Sequence, residues 1–204
     1  MNLLSPVSQG GIDYYDVSPD SYLAAQVGRN PTAAALKLAD QLRPDSLVVD
    51  AGCGTGVETT YFCSRGFQVY AYDASAEMVK AARAVVNPLC PHIYQHRHDE
   101  LSLERKADAI YAGASLLFLS DEDLTAALRM LADNLVPGGV FATFFKEGAE
   151  HRDAGDGRVF HDKRVEDLAD LAQRSGLEPL EAYVEPDALG RPQNWVAFWL
   201  RKPT

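Results

Sequence analysis

A glycine-rich turn in the first third of the chain limits what the sequence can fold into. The apolar segment Leu47–Val49 leads into Asp50, and Gly52, Gly54 and Gly56 follow at alternate positions. Glycine lets a backbone turn sharply and approach a ligand closely, and the free N–H groups that open the next helix attract an anion. The sequence therefore predicts a strand that runs into a helix, with a nucleotide-like ligand at the carboxyl end of that strand.

Strand-like and helix-like segments alternate along most of the remaining chain. Further strands are predicted near 67–72, 93–97, 107–113, 140–145, 178–185 and 194–201. Helices are predicted near 57–65, 75–87, 120–135 and 164–175. This alternation predicts an α/β fold with a mostly parallel sheet and helices on both faces. Because a short connection joins the last two strands, we expect them to be antiparallel neighbours.

No linker divides the sequence, so we expect a single domain over residues 1–204 that opens with a helical cap segment over 1–45. Within this segment, residues 12–28 are predicted to be only partly helical, and a helix follows Pro31. Residues 147–158 are polar and contain three glycines. They are predicted to form the one long loop, which is either mobile or functional.

Charge and apolar content exclude several classes of protein. Of the 204 residues, 19 are Lys or Arg and 29 are Asp or Glu, giving a net charge of −10, which disfavours a nucleic-acid partner. No apolar run is long enough to span a bilayer and no signal peptide is apparent, so a cytoplasmic location is expected. The expected oligomeric state is a monomer or a homodimer. Cys53, Cys63 and Cys90 are odd in number and lack metal-like spacing, which predicts three reduced thiols.

Two carboxylates indicate the kind of cofactor. Asp50 lies two residues before the first glycine, where a negative charge suits a ligand that carries an ammonium and a sulfonium better than a pyrophosphate. Asp73 ends the second predicted strand, where a carboxylate can accept both ribose hydroxyl protons. Val57 occupies the position of the last glycine in the dinucleotide fingerprint, so that fingerprint is incomplete.

At these residues the chain resembles the class I S-adenosylmethionine-dependent methyltransferases. The segment 50–56 (DAGCGTG) is similar to their first motif, 72–78 (YDASAEM) to their second, and 135–139 (LVPGG) to the turn before their fifth strand. The resemblance implies a Rossmann-like methyltransferase sandwich. Its sheet would be seven-stranded, of order 3-2-1-4-5-7-6, with the last strand antiparallel.

The resemblance also implies a set of cofactor-binding residues for S-adenosyl-L-methionine and its product S-adenosyl-L-homocysteine. Asp99 would approach the adenine amine, Leu101 would be an apolar neighbour of the ring, and Tyr15 would close over the cofactor. The full set is Tyr15, Asp50, Ala51, Gly52, Cys53, Gly54, Gly56, Asp73, Ala74, Ser75, Met78, Asp99, Glu100, Leu101 and Ala114.

A closer resemblance is to small bacterial methyltransferases akin to tellurite-resistance methyltransferases. It rests on 108–118 (DAIYAGASLLF) and 144–148 (FFKEG), and Phe118 stands where those relatives usually have His, so it does not transfer a substrate. The acceptor is expected at the ends of the fourth and fifth strands, against Ser115, Phe118, Phe145 and Lys146. No catalytic residue is assigned; His151, His161, Lys146 and Glu147 are the candidate bases.

Absent motifs favour a small-molecule acceptor. Residues 112–115 (AGAS) lack the Asn/Asp-Pro-Pro-aromatic motif of amino-directed enzymes, and the Pro-Cys nucleophile of cytosine-C5 enzymes is also absent. Two other classes stay open: an NAD(P)-dependent Rossmann oxidoreductase, and a regulatory protein that binds the cofactor without turnover. His96 and His98 share a strand face, but the ligand set is incomplete and no metal is expected. Cys53 is interpreted as a fitted small side chain rather than a nucleophile.

Overall fold

The computed structural model describes residues 5–17, 19–87, 90, 92–187 and 190–204. The strands are β1 (Leu47–Ala51), β2 (Gln68–Asp73), β3 (His92–Gln95), β4 (Ala107–Ala112), β5 (Leu135–Lys146), β6 (His151–Asp153), β7 (Val159–His161), β8 (Glu178–Pro186) and β9 (Asn194–Arg201). The helices are α1 (Pro6–Val17), α2 (Pro19–Gln26), α3 (Ala33–Asp40), α4 (Val57–Ser64), α5 (Ala76–Val85), α6 (Asp121–Asp133) and α7 (Leu168–Ser175). Short 3-10 turns lie at 98–100, 116–118 and 165–167.

Seven of these strands form one sheet in the order β3-β2-β1-β4-β5-β9-β8. The five strands from β3 to β5 pair in parallel, whereas β9 is antiparallel to both β5 and β8. This is the strand order expected from the resemblance, and the predicted Rossmann-like α/β sheet with an antiparallel last strand is confirmed. The carboxyl ends of β1, β2, β4 and β5 consequently meet at one edge of the sheet.

Helices cover both faces of the sheet and bury two apolar clusters. One cluster contains the inward stripe of α6, which is Leu124, Ala127, Leu128, Leu131 and Ala132, as its heptad-like spacing predicts. The other lies beneath α3, α4 and α5 and includes Leu38, Phe62 and Val79. Within the part of the chain described here, no helix is both long and apolar enough to cross a membrane.

Residues 147–158 are more ordered than predicted. Residues of β6 pair with β7 in an antiparallel hairpin, in which His151 is opposite His161 and Arg152 is opposite Phe160. Phe160 is buried and supplies the apolar contact that a purely polar loop would lack. The N-terminal segment is likewise more helical than predicted, since α1 and α2 together span most of residues 6–26.

The prediction of three reduced thiols is wrong for two of them. Cys63, at the end of α4, is disulfide-bonded to Cys90, and their Cα atoms lie 5.8 Å apart across a sequence separation of 27 residues. That Cα distance is usual for a disulfide. Cys53 is free and buried. The pairing joins α4 to the segment before β3, a neighbourhood that an odd count of cysteines could not reveal.

Helix α1 lies across the carboxyl edge of the sheet and is fixed at both ends by carboxylates. At its start, Asp123 Oδ2 accepts hydrogen bonds from the hydroxyls of Ser5, Ser8 and Ser120 at 2.6, 2.5 and 2.8 Å. Towards its end, Asp16 Oδ1 accepts from Ser75 Oγ at 2.6 Å. The hydroxyl donors hold the pKa of Asp123 below its usual value, despite partial burial that opposes the shift. Helix α1 is therefore joined to both α6 and α5.

Replacing Asp123 with alanine is expected to lower the free energy of unfolding by about 1–3 kcal/mol, because the buried hydroxyl of Ser8 and the partly buried hydroxyls of Ser5 and Ser120 lose a charged acceptor. Cofactor affinity should fall with it, since α1 carries Tyr15 over the site. Urea unfolding followed by circular dichroism, with Glu122→Ala as an exposed control in the same helical turn, measures the first effect. Equal stability of the two variants would contradict the expectation.

Candidate functional site

The glycine-rich turn after β1 forms the floor of the site. Gly52, Gly54 and Gly56 have φ angles of +80°, +53° and +80°, a region that other residues rarely adopt. The backbone N–H groups of Gly52 and Cys53 donate to the carbonyl of Tyr72 at 2.8 and 2.9 Å, which ties the turn to β2. A Cβ atom on Gly52 would lie 2.3 Å from Cβ of Ser115. The turn therefore leaves no room for a side chain where it faces β4.

The segment after β4 completes this floor. Ser115 Oγ donates to the carbonyl of Ala51 at 2.7 Å, so the ends of β1 and β4 are held together by a side chain. Ala114 has φ of +56°, one of two non-glycine residues with positive φ among those described. Such strain persists only where the surrounding structure enforces it. The positive φ of Ala114 turns the chain immediately beside the glycine-rich turn.

Asp73, at the end of β2, accepts hydrogen bonds from the glycine-rich turn and from the start of α5. Its Oδ2 accepts from the Gly54 N–H and its Oδ1 from the Ser75 N–H, both at 2.9 Å. Burial raises the pKa of Asp73 to about 6, although the backbone donors oppose that shift. Because a carboxylate has about four acceptor positions, roughly two remain for a ligand.

Asp50 lies beneath the turn rather than on its surface. It is 1% exposed, and Thr59 Oγ1 donates to its Oδ2 at 2.6 Å. Burial, followed by the nearby charge of Glu58, raises the pKa of Asp50 to about 7. Its charge consequently acts on the site from below, across the backbone of the turn, and it is not part of the wall.

A cavity of about 330 Å³ opens above this floor, in the size range of small-molecule sites. The strand ends bound it below, α1 and α2 on one side, and the β6–β7 hairpin on the other. The predicted site residues that line it are Tyr15, Gly52, Gly54, Asp73, Ala74, Ser75, Met78, Asp99, Ala114, Ser115, Phe118 and Lys146. The structure thus brings together nine of the fifteen expected cofactor residues and three of the four expected acceptor residues.

The other predicted site residues lie off the cavity wall. They are Asp50, Ala51, Cys53, Gly56, Glu100, Leu101 and Phe145. Phe145 points into the core against Phe198, with ring centroids 5.8 Å apart, while its neighbours Phe144 and Lys146 line the cavity. Glu100 accepts the Arg97 N–H at 2.9 Å, and Leu101 is buried in the core. Burial also raises the pKa of Cys53, which keeps it a neutral thiol.

Two wall residues that were not predicted from the sequence are Arg29 and Tyr22. Arg29 makes a bidentate ion pair with Glu58 at 2.9 and 2.6 Å, which joins the N-terminal segment to the start of α4. Tyr22 contacts Tyr15 edge to face with ring centroids 5.0 Å apart. Burial raises the pKa of Tyr15 to about 12, so its hydroxyl stays protonated at neutral pH.

The hairpin closes the cavity opposite α2. The Arg158 guanidinium lies 3.6 Å from the centre of the Tyr14 ring, and Phe160 packs on Phe118 with ring centroids 5.2 Å apart. Of the candidate bases, Lys146 alone lines the cavity among the described residues. His151 and His161 contact each other within the hairpin, and Glu147 accepts from Asn194 Nδ2 at 2.9 Å.

The histidine-rich segment near β3 places the imidazole of His98 on the cavity wall. His98 is partly buried against Tyr72, whose hydroxyl lies 3.0 Å from Nδ1 of His98. Burial lowers the pKa of His98 to about 4, so the ring is neutral at physiological pH. Among the residues that the structure describes, no group of three or more His, Cys, Asp or Glu side chains could hold a metal ion.

The segment that forms the floor of the cavity is also the part of the chain that matches a known family. Residues 48–139, from β1 to the start of β5, match the family model of a methyltransferase domain. The chain belongs to the class I S-adenosylmethionine-dependent methyltransferase superfamily. It is 32% identical over 136 residues to trans-aconitate 2-methyltransferase of Deinococcus radiodurans, covering 66% of this chain and 51% of that protein.

Two further similar proteins extend this match. Carboxy-S-adenosyl-L-methionine synthase of Chromohalobacter salexigens is 30% identical over 161 residues, covering 72% of this chain and 58% of that protein. The chain therefore spans about half the length of the curated relatives it matches. The crystal structure of Burkholderia thailandensis 1,6-didemethyltoxoflavin-N1-methyltransferase superposes with a TM-score of 0.77 at 20% identity, covering all of this chain and 93% of that one.

The glycine-rich turn and the two carboxyls of this methyltransferase-family chain fit S-adenosylmethionine, the cofactor of its superfamily. The glycine floor leaves space that a Cβ atom would fill, and a Cβ atom on Gly54 would lie 3.2 Å from the Tyr22 hydroxyl. Asp73 offers a partly buried acceptor beside that floor, and Asp50 adds a second, buried carboxyl beneath it. Acidic groups with free acceptor positions suit the hydroxyl and ammonium donors of this cofactor.

Affinity for S-adenosylmethionine is expected to fall as the pH is lowered from 8 to 5. The pKa of Asp50 is raised to about 7 and that of Asp73 to about 6, so both carboxyls lose their negative charge over this interval. A cationic ligand loses attraction when they are protonated. Isothermal titration across this range tests the expectation, with Asp50→Asn and Asp73→Asn each predicted to flatten the profile. A constant Kd for the unaltered protein would contradict it.

Proposed function

We propose that this chain transfers a methyl group from S-adenosylmethionine to a small-molecule acceptor. The observation that carries the proposal is a single cavity with two kinds of wall. The glycine turn and Asp73 lie at one end, and Ser115, Phe118 and Lys146 lie at the other. Both ends open onto the same space, so a cofactor and an acceptor can be held side by side.

Bound at the glycine turn, S-adenosylmethionine supplies an electrophilic methyl group on its sulfonium. Asp73, with Gly52 and Gly54 beneath it, would hold the cofactor, and Tyr15 and Tyr22 would cover it. The chain's contribution is then positioning in a space from which α1 and the hairpin exclude water, and well-oriented neighbours alone can supply a large part of a rate enhancement. We assign no general base.

A small acceptor is supported by the enclosure of the site and by its charge. Helix α1 and the β6–β7 hairpin roof the cavity, and the chain has a net charge of −10, which repels a polyanion. One curated relative is named as a methyltransferase of trans-aconitate, and one structural neighbour was crystallised with 1,6-didemethyltoxoflavin; both names denote small molecules.

A ligand-stabilisation experiment separates this proposal from its two alternatives. S-adenosylmethionine and S-adenosylhomocysteine are expected to raise the Tm of the full chain, whereas NAD⁺ and NADP⁺ are not. Stabilisation by the dinucleotides alone would indicate an oxidoreductase and overturn the proposal. Release of S-adenosylhomocysteine in a screen of small acceptors supports turnover, and binding without release from any acceptor would favour a regulatory protein.

A further inference from the structure

The acceptor end of the cavity contains a row of three side chains from neighbouring strands. Trp195 on β9 is directly opposite Lys146 on β5 and directly opposite Glu185 on β8. Residues opposite each other in antiparallel pairs lie on the same face of a sheet, and all three line the cavity. Since neighbouring strands are about 4.8 Å apart, the backbones of Lys146 and Glu185 are separated by about 10 Å. Trp195 is therefore on the strand between those that carry Lys146 and Glu185.

Lys146 differs from every other cation on the cavity wall. Arg29, Arg97, Arg158 and Arg191 pair with Glu58, Asp99, Asp156 and Asp187, with nearest N···O distances of 2.6, 2.7, 2.6 and 2.6 Å. No carboxylate among the described residues lies within ion-pair distance of the Lys146 ammonium. Asp162, the acidic group that most favours its charged form, is itself bound by Arg152. The ammonium instead lies 3.5 Å from the centre of the Phe160 ring. A charge in a partly apolar site lacks the partner it would normally have.

The surroundings of Lys146 further disfavour its positive charge. Burial, together with the positive charges of Arg152, Arg158 and Arg191, lowers the pKa of Lys146 to about 8, and Asp162 opposes that shift. At neutral pH the side chain is still mostly protonated, at an energetic cost that a bound anion would offset. Phe118, Phe160 and Trp195 form the aromatic part of the wall at this end.

We propose, on the basis of the proposed function, that the methyl acceptor is an aromatic organic acid bound as its anion. Its carboxylate contacts the Lys146 ammonium, and its ring packs between Phe118, Phe160 and Trp195. Lys146 is then a specificity-determining residue: it selects the acidic form of the acceptor over a neutral analogue of the same shape. Charge-assisted hydrogen bonds of this kind are about twice as strong as neutral ones.

Matched pairs of acid and amide test this proposal in the full chain saturated with S-adenosylhomocysteine. The probes are 4-hydroxybenzoate, cinnamate and indole-3-acetate with their amides, and the measurement is binding by isothermal titration. We expect each acid that binds to do so at least tenfold more tightly than its amide. The preference should disappear in Lys146→Gln, persist in Lys146→Arg and persist in Lys106→Gln, an exposed control with the same charge change.

Three results would overturn the proposal: no acid binds, acids and amides bind equally, or the preference survives in Lys146→Gln. Acid affinity should also fall as the pH is raised above about 8, where the free amine loses its proton. Failure of the proposed function is a different observation, because it would show as the absence of S-adenosylmethionine binding in both the unaltered chain and Lys146→Gln.

Discussion

Replacing Gly52 with alanine is expected to raise the Kd for S-adenosylmethionine at least about 100-fold, equivalent to about 2.7 kcal/mol. The new Cβ atom would lie 2.3 Å from Cβ and 2.8 Å from Oγ of Ser115. Ser115 cannot easily move away, because its hydroxyl donates to the carbonyl of Ala51 at 2.7 Å. The turn would therefore shift from the position in which it forms the cavity floor. Isothermal titration of the folded variant measures the loss.

Gly66 provides the matched control for this substitution. Its φ of +83° is nearly the same as that of Gly52, yet a Cβ atom there would meet nothing within 4 Å. Gly66→Ala should therefore lower stability by about 1–2 kcal/mol through backbone strain alone and leave the Kd unchanged. If Gly52→Ala bound the cofactor normally, or if both variants lost binding equally, the steric argument would be wrong.

Replacing Asp73 with alanine is expected to raise the Kd for S-adenosylmethionine by about 30- to 100-fold, since hydrogen bonds to charged groups contribute about 1.5–3 kcal/mol each. The substitution removes the acceptor of the Gly54 and Ser75 N–H groups, and with it the acceptor positions that face the cavity. The glycine turn loses its tie to the start of α5 at the same time. Titration calorimetry at pH 8, where the carboxyl is ionised, measures the effect.

Two controls define what the Asp73 result means. Asp73→Asn keeps one acceptor oxygen and removes the charge, so its Kd should fall between those of the unaltered protein and Asp73→Ala. Asp133→Asn makes the same chemical change on the exposed face of α6 and should leave binding unchanged. Unaltered affinity in a folded Asp73→Ala would mean that the cofactor lies elsewhere.

The fold was predictable where local patterns determine it. The apolar stripe of α6 and the short apolar strands follow from helical and strand periodicity, and each was found near its expected position. Strand order came from the resemblance carried by the motifs around Asp50, Asp73 and Gly138. These motifs are typical of turns and strand ends whose geometry the whole superfamily shares, so they predict the order of the strands as well.

The rest depends on contacts between segments far apart in the sequence. The β6–β7 hairpin looked like a polar loop because its single buried aromatic, Phe160, packs against residues outside it. The Arg29–Glu58 pair and the disulfide of Cys63 with Cys90 likewise join separate elements. None of these pairings leaves a periodic signal in one sequence.

Within the candidate site, motif spacing located the neighbourhood but not the direction of each side chain. Phe145 and Lys146 were both predicted to face the acceptor, yet successive strand residues point to opposite faces, so Lys146 and Phe144 line the cavity while Phe145 enters the core. Asp50 shows the same limit: it belongs to the motif and lies below the turn. That the predicted residues on the cavity wall bind the cofactor or the acceptor stays a prediction.

The contact between α1 and the β6–β7 hairpin affects how substitutions can change the specificity of this site. A Cβ atom on Gly10 would lie 2.0 Å from the carbonyl oxygen of Gly157, so the two segments meet backbone to backbone. This contact involves no side-chain atom, and it requires glycine at position 10, where any side chain would clash. Substitutions at neighbouring wall positions such as Phe118 or Phe160 can then alter which acceptor is admitted while the closing contact is retained. Recognition and enclosure are in this way separable by mutation.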